Sequence, residues 1–182
     1  MTPAPPGHVP SPGDGWVQCG CGERHWGLFG AAGLLVTRRD DEGRATHVLL
    51  QHRAPWSHHG GTWGIPGGAR RPDEPATHAA LREAAEEAGV PAGAVETVHE
   101  HVLTHPDWTY TTVLAELVVP FDARPTDDES LAIAWVPVAD VAALPLLPAF
   151  ATAWPDLDPT APGPRPGGQV PVRRSSGRRP GG

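Results

Sequence analysis

Residues 67–90, GGARRPDEPATHAALREAAEEAGV, constrain this chain most, because they specify one bounded helix with two chemically opposed faces. Asp73 or Glu74 is placed to cap its start and Pro75 suits its first turn. Gly89 followed by Pro91 ends it, so the helix is expected over residues 76–88. Glu83, Glu86 and Glu87 stand at i, i+3 and i+4, which puts three carboxylates on one face. Ala76, Ala80 and Ala84 lie on the other, small enough for the helix to lie close to a sheet. Crowded carboxylates repel, and a solvated face usually interleaves them with bases. Hard divalent cations remove that repulsion, and Mg²⁺ or Mn²⁺ prefers oxygen ligands. Arg82 and Glu86 are i, i+4 partners, an arrangement that fixes a ligand carboxylate from behind. For the glutamates alone, an ordinary acidic solvated helix competes with this reading.

The rest of the chain alternates strands and helices. Residues 31–37 (AAGLLVT) and 46–53 (THVLLQHR) are expected as buried strands, with a hairpin turn at DDEG, residues 40–43. Residues 63–66 are short and extended, 95–104 and 110–119 alternate like paired strands, and 132–136 is a further strand. Short helices are expected over 138–144 and 148–154. This is a mixed α/β domain over residues 27–154. It lies between a flexible N-terminal extension, residues 1–26, and a disordered Pro/Gly/Arg-rich tail, residues 155–182.

A net charge of −7 argues against general nucleic-acid binding, although an acidic site holds a polyphosphate when divalent cations lie between. All 14 basic residues counted with lysine are arginine. Without an apolar span or a signal-like N-terminus, a cytoplasmic protein with no membrane partner is expected.

The box Gly68, five residues, Glu74, seven residues, Arg82-Glu83-Ala84, one residue, Glu86-Glu87, one residue, Gly89-Val90 resembles the Nudix hydrolase signature, closest to MutT-type members. Ala84 departs softly, being small where the family has a larger aliphatic residue. The resemblance implies an α/β/α sandwich with a mixed sheet and a loop-helix-loop catalytic motif. It implies a Mg²⁺- or Mn²⁺-dependent hydrolase that cleaves a pyrophosphate bond in a nucleoside-diphosphate-linked substrate, with Glu83, Glu86, Glu87 and the Gly67 carbonyl as metal ligands. Glu129, six residues before Trp135, resembles the MutT-type loop glutamate and is the candidate general base or extra ligand. Arg53 resembles the arginine that contacts substrate phosphate, and Trp108 offers a stacking face for a base. The expected partner is a small-molecule nucleotide, foremost a (d)NTP, with a homodimer as an option.

The segment after the last strand, Leu144-Pro145-Leu146-Leu147-Pro148, lacks the asparagine by which MutT-type members read 8-oxoguanine. ADP-ribose, a nucleotide sugar or a dinucleotide are the rival substrates. A non-catalytic Nudix nucleotide sensor is the rival from another class, against which the intact box argues. Cys19, Cys21 and His25 offer three zinc ligands where structural zinc wants four, so this stretch reads as a short lead-in with Trp26 packed on the domain edge.

Overall fold

Apolar runs without charged interruptions form strands buried on both faces, and the two runs after residue 30 do so here. A computed structural model describes residues 11–57 and 59–161. Its strands are β1 (Trp16–Gln18), β2 (Arg24–Trp26), β3 (Ala31–Arg39), β4 (Ala45–Arg53), β5 (Trp63–Gly64), β6 (Gly67–Ala69), β7 (Val95–Thr104), β8 (Thr109–Leu117) and β9 (Ser130–Pro137). Helix α1 spans Ala76–Ala88, a 3₁₀-helix Val138–Ala143, and α2 Pro148–Leu157. The main sheet runs β5-β4-β3-β8-β7, with β6 added to β3 and β9 to β4. β3 and β8 are parallel; the other pairings are antiparallel.

Each face of the sheet is covered by helix. On one, Ala80, Ala84 and Ala88 of α1 pack on Leu34, Leu49 and Val113, all without solvent exposure. The small alanine face lets α1 lie close to β3. On the other, Phe150, Trp154 and Leu157 of α2 pack on Leu35 and Leu50. The α/β/α sandwich is therefore present, with the box helix as one outer layer. Among the described residues no helix is long and apolar enough to cross a membrane.

Local chemistry sets the element ends. Asp40 accepts the backbone N–H groups of Glu42 and Arg44 and closes the β3–β4 turn. Gly89 ends α1 in the left-handed conformation (φ 65°), its N–H bonded to the Ala84 carbonyl. The expected acidic cap of α1 is not formed. Pro75 is the N-cap and no side chain caps the helix, because the Glu74 carboxylate is taken by Arg82 and the Arg71 N–H.

Two further differences concern the flanks. Residues 16–26 form the β1–β2 hairpin instead of a flexible extension, with the Trp16 and Trp26 rings 5.3 Å apart across the strands. Trp108 clamps this hairpin, its Nε1–H donating to the carbonyls of Trp26 and Gly27, each at 3.1 Å. Pro and Gly density suggested disorder, but the cross-strand aromatic pair and the clamp supply the missing contacts. Residues 155–157, assigned to the tail, form the last turn of α2, with Leu157 buried. Of the expected flexible ends, residues 1–10 and 162–182 lie outside the described residues.

Candidate active site

The site begins with two glycines that make room. Adding a Cβ to Gly68 would put it 2.6 Å from Cδ of Glu83, so a larger residue there would displace that carboxylate. At Gly67 a Cβ would meet the Ala32 carbonyl oxygen at 2.5 Å. Gly67 pairs with Gly33, while the flanking Pro66 carbonyl accepts the Leu34 N–H. The polar groups of Gly67 therefore face away from β3, toward α1. Its N–H donates to Oε2 of Glu87 at 2.8 Å.

The three glutamates of α1 differ in depth. Glu87 is 6% exposed. Glu83 has a side chain 15% exposed, and that of Glu86 is 54% exposed. Burial pushes the Glu87 carboxyl well above the usual carboxylate range, the nearby Glu83 charge adds to this, and the Gly67 N–H and Arg53 oppose it. Burial raises Glu83 as well, with Arg82 opposing and Glu86 and Asp14 adding to the rise. Negative charge is thus concentrated in a poorly solvated place and only partly neutralised by the protein, an environment that fits a divalent cation.

Arg82 organises the rim. Its Nε and Nη2 hold both oxygens of Glu74 at 2.8 and 2.9 Å, its Nη1 reaches Glu83 at 2.6 Å, and its Nη2 also donates to the Ala69 carbonyl. The Glu86 contact anticipated from i, i+4 spacing exists at 3.2 Å, but the paired fork goes to Glu74, eight residues away. This interaction holds the Glu74 carboxyl down to about 2. The glutamate of the box start is therefore tied to its arginine, and with Glu83 it fixes the loop–helix junction.

The opposite wall comes from β4 and the loop before β9. Arg53 ends β4 opposite Ser130 and lies within electrostatic reach of Glu87, Tyr110 and Asp127. The loop is anchored to the end of α1: the Thr126 N–H and hydroxyl donate to the carbonyls of Glu87 and Glu86. Glu129 is half-buried, and its carbonyl accepts the Ala54 N–H beside Arg53. Two residues had no assigned role in the sequence. Asp127 accepts the Glu129 N–H at 3.1 Å and the Ser130 hydroxyl at 3.4 Å, and its carboxyl is raised by partial burial. Gln51, fully buried, donates to the Ser130 hydroxyl at 2.8 Å. A lone amide in the apolar run VLLQ was its one sequence signal.

Trp108 is placed differently from a free stacking platform. His25 stacks on it at 4.5 Å with rings 13° from parallel, and its ring N–H is committed to the hairpin carbonyls. The Leu144–Pro148 segment lies beside β5, where the Trp63 N–H donates to the Pro145 carbonyl and the Leu147 N–H to the Trp63 carbonyl.

The model of the NUDIX domain matches residues 28–156. A Bifidobacterium longum nucleoside triphosphate pyrophosphatase/Nudix hydrolase fusion protein is 49% identical over 151 residues, 81% of this chain and 31% of the fusion; the chain thus spans under a third of that relative. A Mycobacterium tuberculosis protein provisionally named 8-oxo-dGTP diphosphatase 3 is 44% identical over 189 residues, 98% of this chain and 83% of its own length. The crystal structure of RenU, a Nudix hydrolase of M. smegmatis, has a TM-score of 0.71 at 46% identity, covering 80% of this chain and 92% of RenU. A domain match over most of the chain and relatives aligned along nearly all of it carry the same conclusion as the buried glutamates: this chain belongs to the Nudix family, hydrolases that cleave pyrophosphate bonds in nucleotides with the help of a divalent metal.

Proposed function

We propose that the enzyme hydrolyses a nucleoside or deoxynucleoside triphosphate to a nucleoside monophosphate and pyrophosphate, with Mg²⁺ (or Mn²⁺) at the box glutamates. The observation that carries this reading is the pairing of two poorly solvated carboxylates, Glu83 and Glu87, with Arg53 within electrostatic reach of Glu87. Glu83, Glu86, Glu87 and the Gly67 carbonyl would hold the metal. When bound, it neutralises phosphate oxygens and makes water easier to deprotonate. The chain's own residues do the rest. Arg82 keeps Glu83 and Glu86 aimed. Arg53 binds a phosphate oxygen with a fork suited to it. Glu129 takes the proton of the attacking water, while Asp127 holds the Glu129 backbone in place. A small-molecule nucleotide is then the partner, in a cytoplasmic enzyme that needs no nucleic acid.

The base assignment separates by rate. Glu129→Gln should lower kcat roughly 10²-fold with little change in KM, as a proton acceptor acts in the transition state. Asp127→Asn keeps an acceptor for the Glu129 N–H and should lose less than tenfold, on the order of one hydrogen bond. The reverse ranking in steady-state kinetics would move the base to Asp127.

Leu144, Leu146 and Leu147 pack against the apolar cluster under α2 and present no side-chain amide. An apolar wall separates similar bases by only ~1–3 kcal/mol. We therefore expect 8-oxo-dGTP, the substrate in the name of the M. tuberculosis relative, to be preferred over dGTP by no more than about 200-fold. A panel of triphosphates, ADP-ribose, NADH and sugar nucleotides, assayed with Mg²⁺, tests this. A hundredfold preference for ADP-ribose would overturn the triphosphate reading, and a preference for 8-oxo-dGTP of about 10⁴-fold or more would show a hydrogen-bonding readout elsewhere in the pocket.

A further inference from the structure

Away from the glutamates, the β1–β2 hairpin holds a cluster the proposed reaction does not use. The turn joining the strands is closed by the Cys19 N–H to the Glu23 carbonyl and the Gly22 N–H to the Cys19 carbonyl. It brings Cys21 Sγ within 3.2 Å of Nε2 of His25 on β2. His105, in the turn between β7 and β8, comes from 80 residues further on, its ring centroid 4.3 Å from that of His25. One ligand atom from each of Cys19, Cys21, His25 and His105 can be chosen so that all four lie within 4.8 Å of one another. Neither cysteine is in a disulfide.

We propose that these four residues form a closed tetrahedral Zn²⁺ site that staples the hairpin to the β7–β8 turn. The donor set is two sulfurs and two imidazole nitrogens, the soft and borderline ligands that zinc selects over magnesium. Zn–S near 2.3 Å and Zn–N near 2.0–2.1 Å put tetrahedral donors roughly 3.3–3.8 Å apart, so the cluster has only to contract slightly. Two thiolates neutralise the dication. With all four positions filled by protein, the ion would be structural. His105 is the residue that sequence spacing could not supply, because only the fold brings it to the hairpin.

The surroundings hold the ligands in place. The Gly20 N–H, between the two cysteines, donates to Oδ2 of Asp107 at 2.7 Å, tying the turn to the loop that carries His105. Trp108 stacks on His25 and sets its ring plane. The hairpin also has a physical need for a staple. Trp16 and Trp26 remain 40% and 38% exposed, so its apolar burial is meagre, and small elements with little core are commonly held by metal.

The test uses full-length protein without a histidine tag, expressed with added zinc and kept reduced. Elemental analysis should find about one zinc per chain. Cys19→Ser, Cys21→Ser and His105→Ala should each carry less than about a tenth of that, and Glu87→Gln should keep it all, which separates this site from the box. Should those variants fail to fold, zinc-stripped wild type titrated with Co²⁺ provides the second measurement. Visible d–d bands of tetrahedral cobalt and a thiolate charge-transfer band are expected, and melting temperature should rise on adding Zn²⁺. Zinc-free wild type that also gives no tetrahedral cobalt spectrum would overturn the site. Full zinc content in His105→Ala would overturn the staple.

Discussion

Glu87→Gln should reduce turnover by about 10³-fold or more, yet leave the metal-free protein at least as stable as wild type. The two effects have opposite signs because Glu87 is a functional charge in a place unfavourable to charge. It is 6% exposed, burial raises its pKa from 4.5, and Glu83 adds repulsion. A carboxyl whose folded pKa lies above its unfolded value loses stability for the chain as pH rises from that unfolded value through the raised one. Above that window metal-free wild type therefore carries the cost of two ionised, poorly solvated glutamates. Glutamine keeps the shape and an acceptor for the Gly67 N–H, and removes one of those charges. Added Mg²⁺ should raise the wild-type melting temperature and raise that of the variant less, since binding to the native state stabilises by mass action. Kinetics and thermal melts on both proteins, with and without EDTA, check this. A variant with full activity and unchanged metal dependence would remove Glu87 from the site.

Periodicity and punctuation carry some features and not others. The expected span of α1, 76–88, coincides with the observed Ala76–Ala88, because Gly89 and Pro91 are strong stops. One-face placement of Glu83, Glu86 and Glu87 follows from helix geometry alone. Their unequal depth does not, because it depends on β6 lying under α1, and a Gly-Gly-Ala strand has no apolar alternation to betray it. The partner of Arg82 escaped for a related reason. Spacing favours Glu86, but the loop before α1 folds back and delivers Glu74 to the same guanidinium. Asp127 was indistinguishable from the acidic run around it until the loop docked on the end of α1. Trp108 and the cysteine hairpin constrain each other through contacts across more than 80 residues, which no local pattern encodes.

Arg82→Ala should cost about 2–4 kcal/mol of stability, and melting temperature should drop by roughly 5–15 °C for a chain of this size. The arginine side chain is 17% exposed, and its partners Glu74 and Glu83 are 13% and 15% exposed. Truncation takes the guanidinium from two carboxylates and the Ala69 carbonyl, leaving Glu74 only the Arg71 N–H, and a poorly paired charge in such surroundings costs more than the pair contributed. Turnover should fall as well, since Glu83 and Glu86 lose the group that aims them. Arg82→Lys restores the charge without the planar fork and should recover only part of either loss. The pH dependence identifies the cause. Arg82 holds Glu74 down from 4.5 to about 2, so this interaction stabilises wild type fully above 4.5 and fades as pH falls toward 2. In Arg82→Ala that acid-side loss shrinks, because only the Arg71 N–H and charge still favour ionised Glu74. The stability gap between the two proteins should therefore narrow as pH is lowered through that window. A gap of constant size would assign the destabilisation to lost packing of the arginine stem, and the Glu74–Arg82 pair would then have no electrostatic part in holding the loop against the helix.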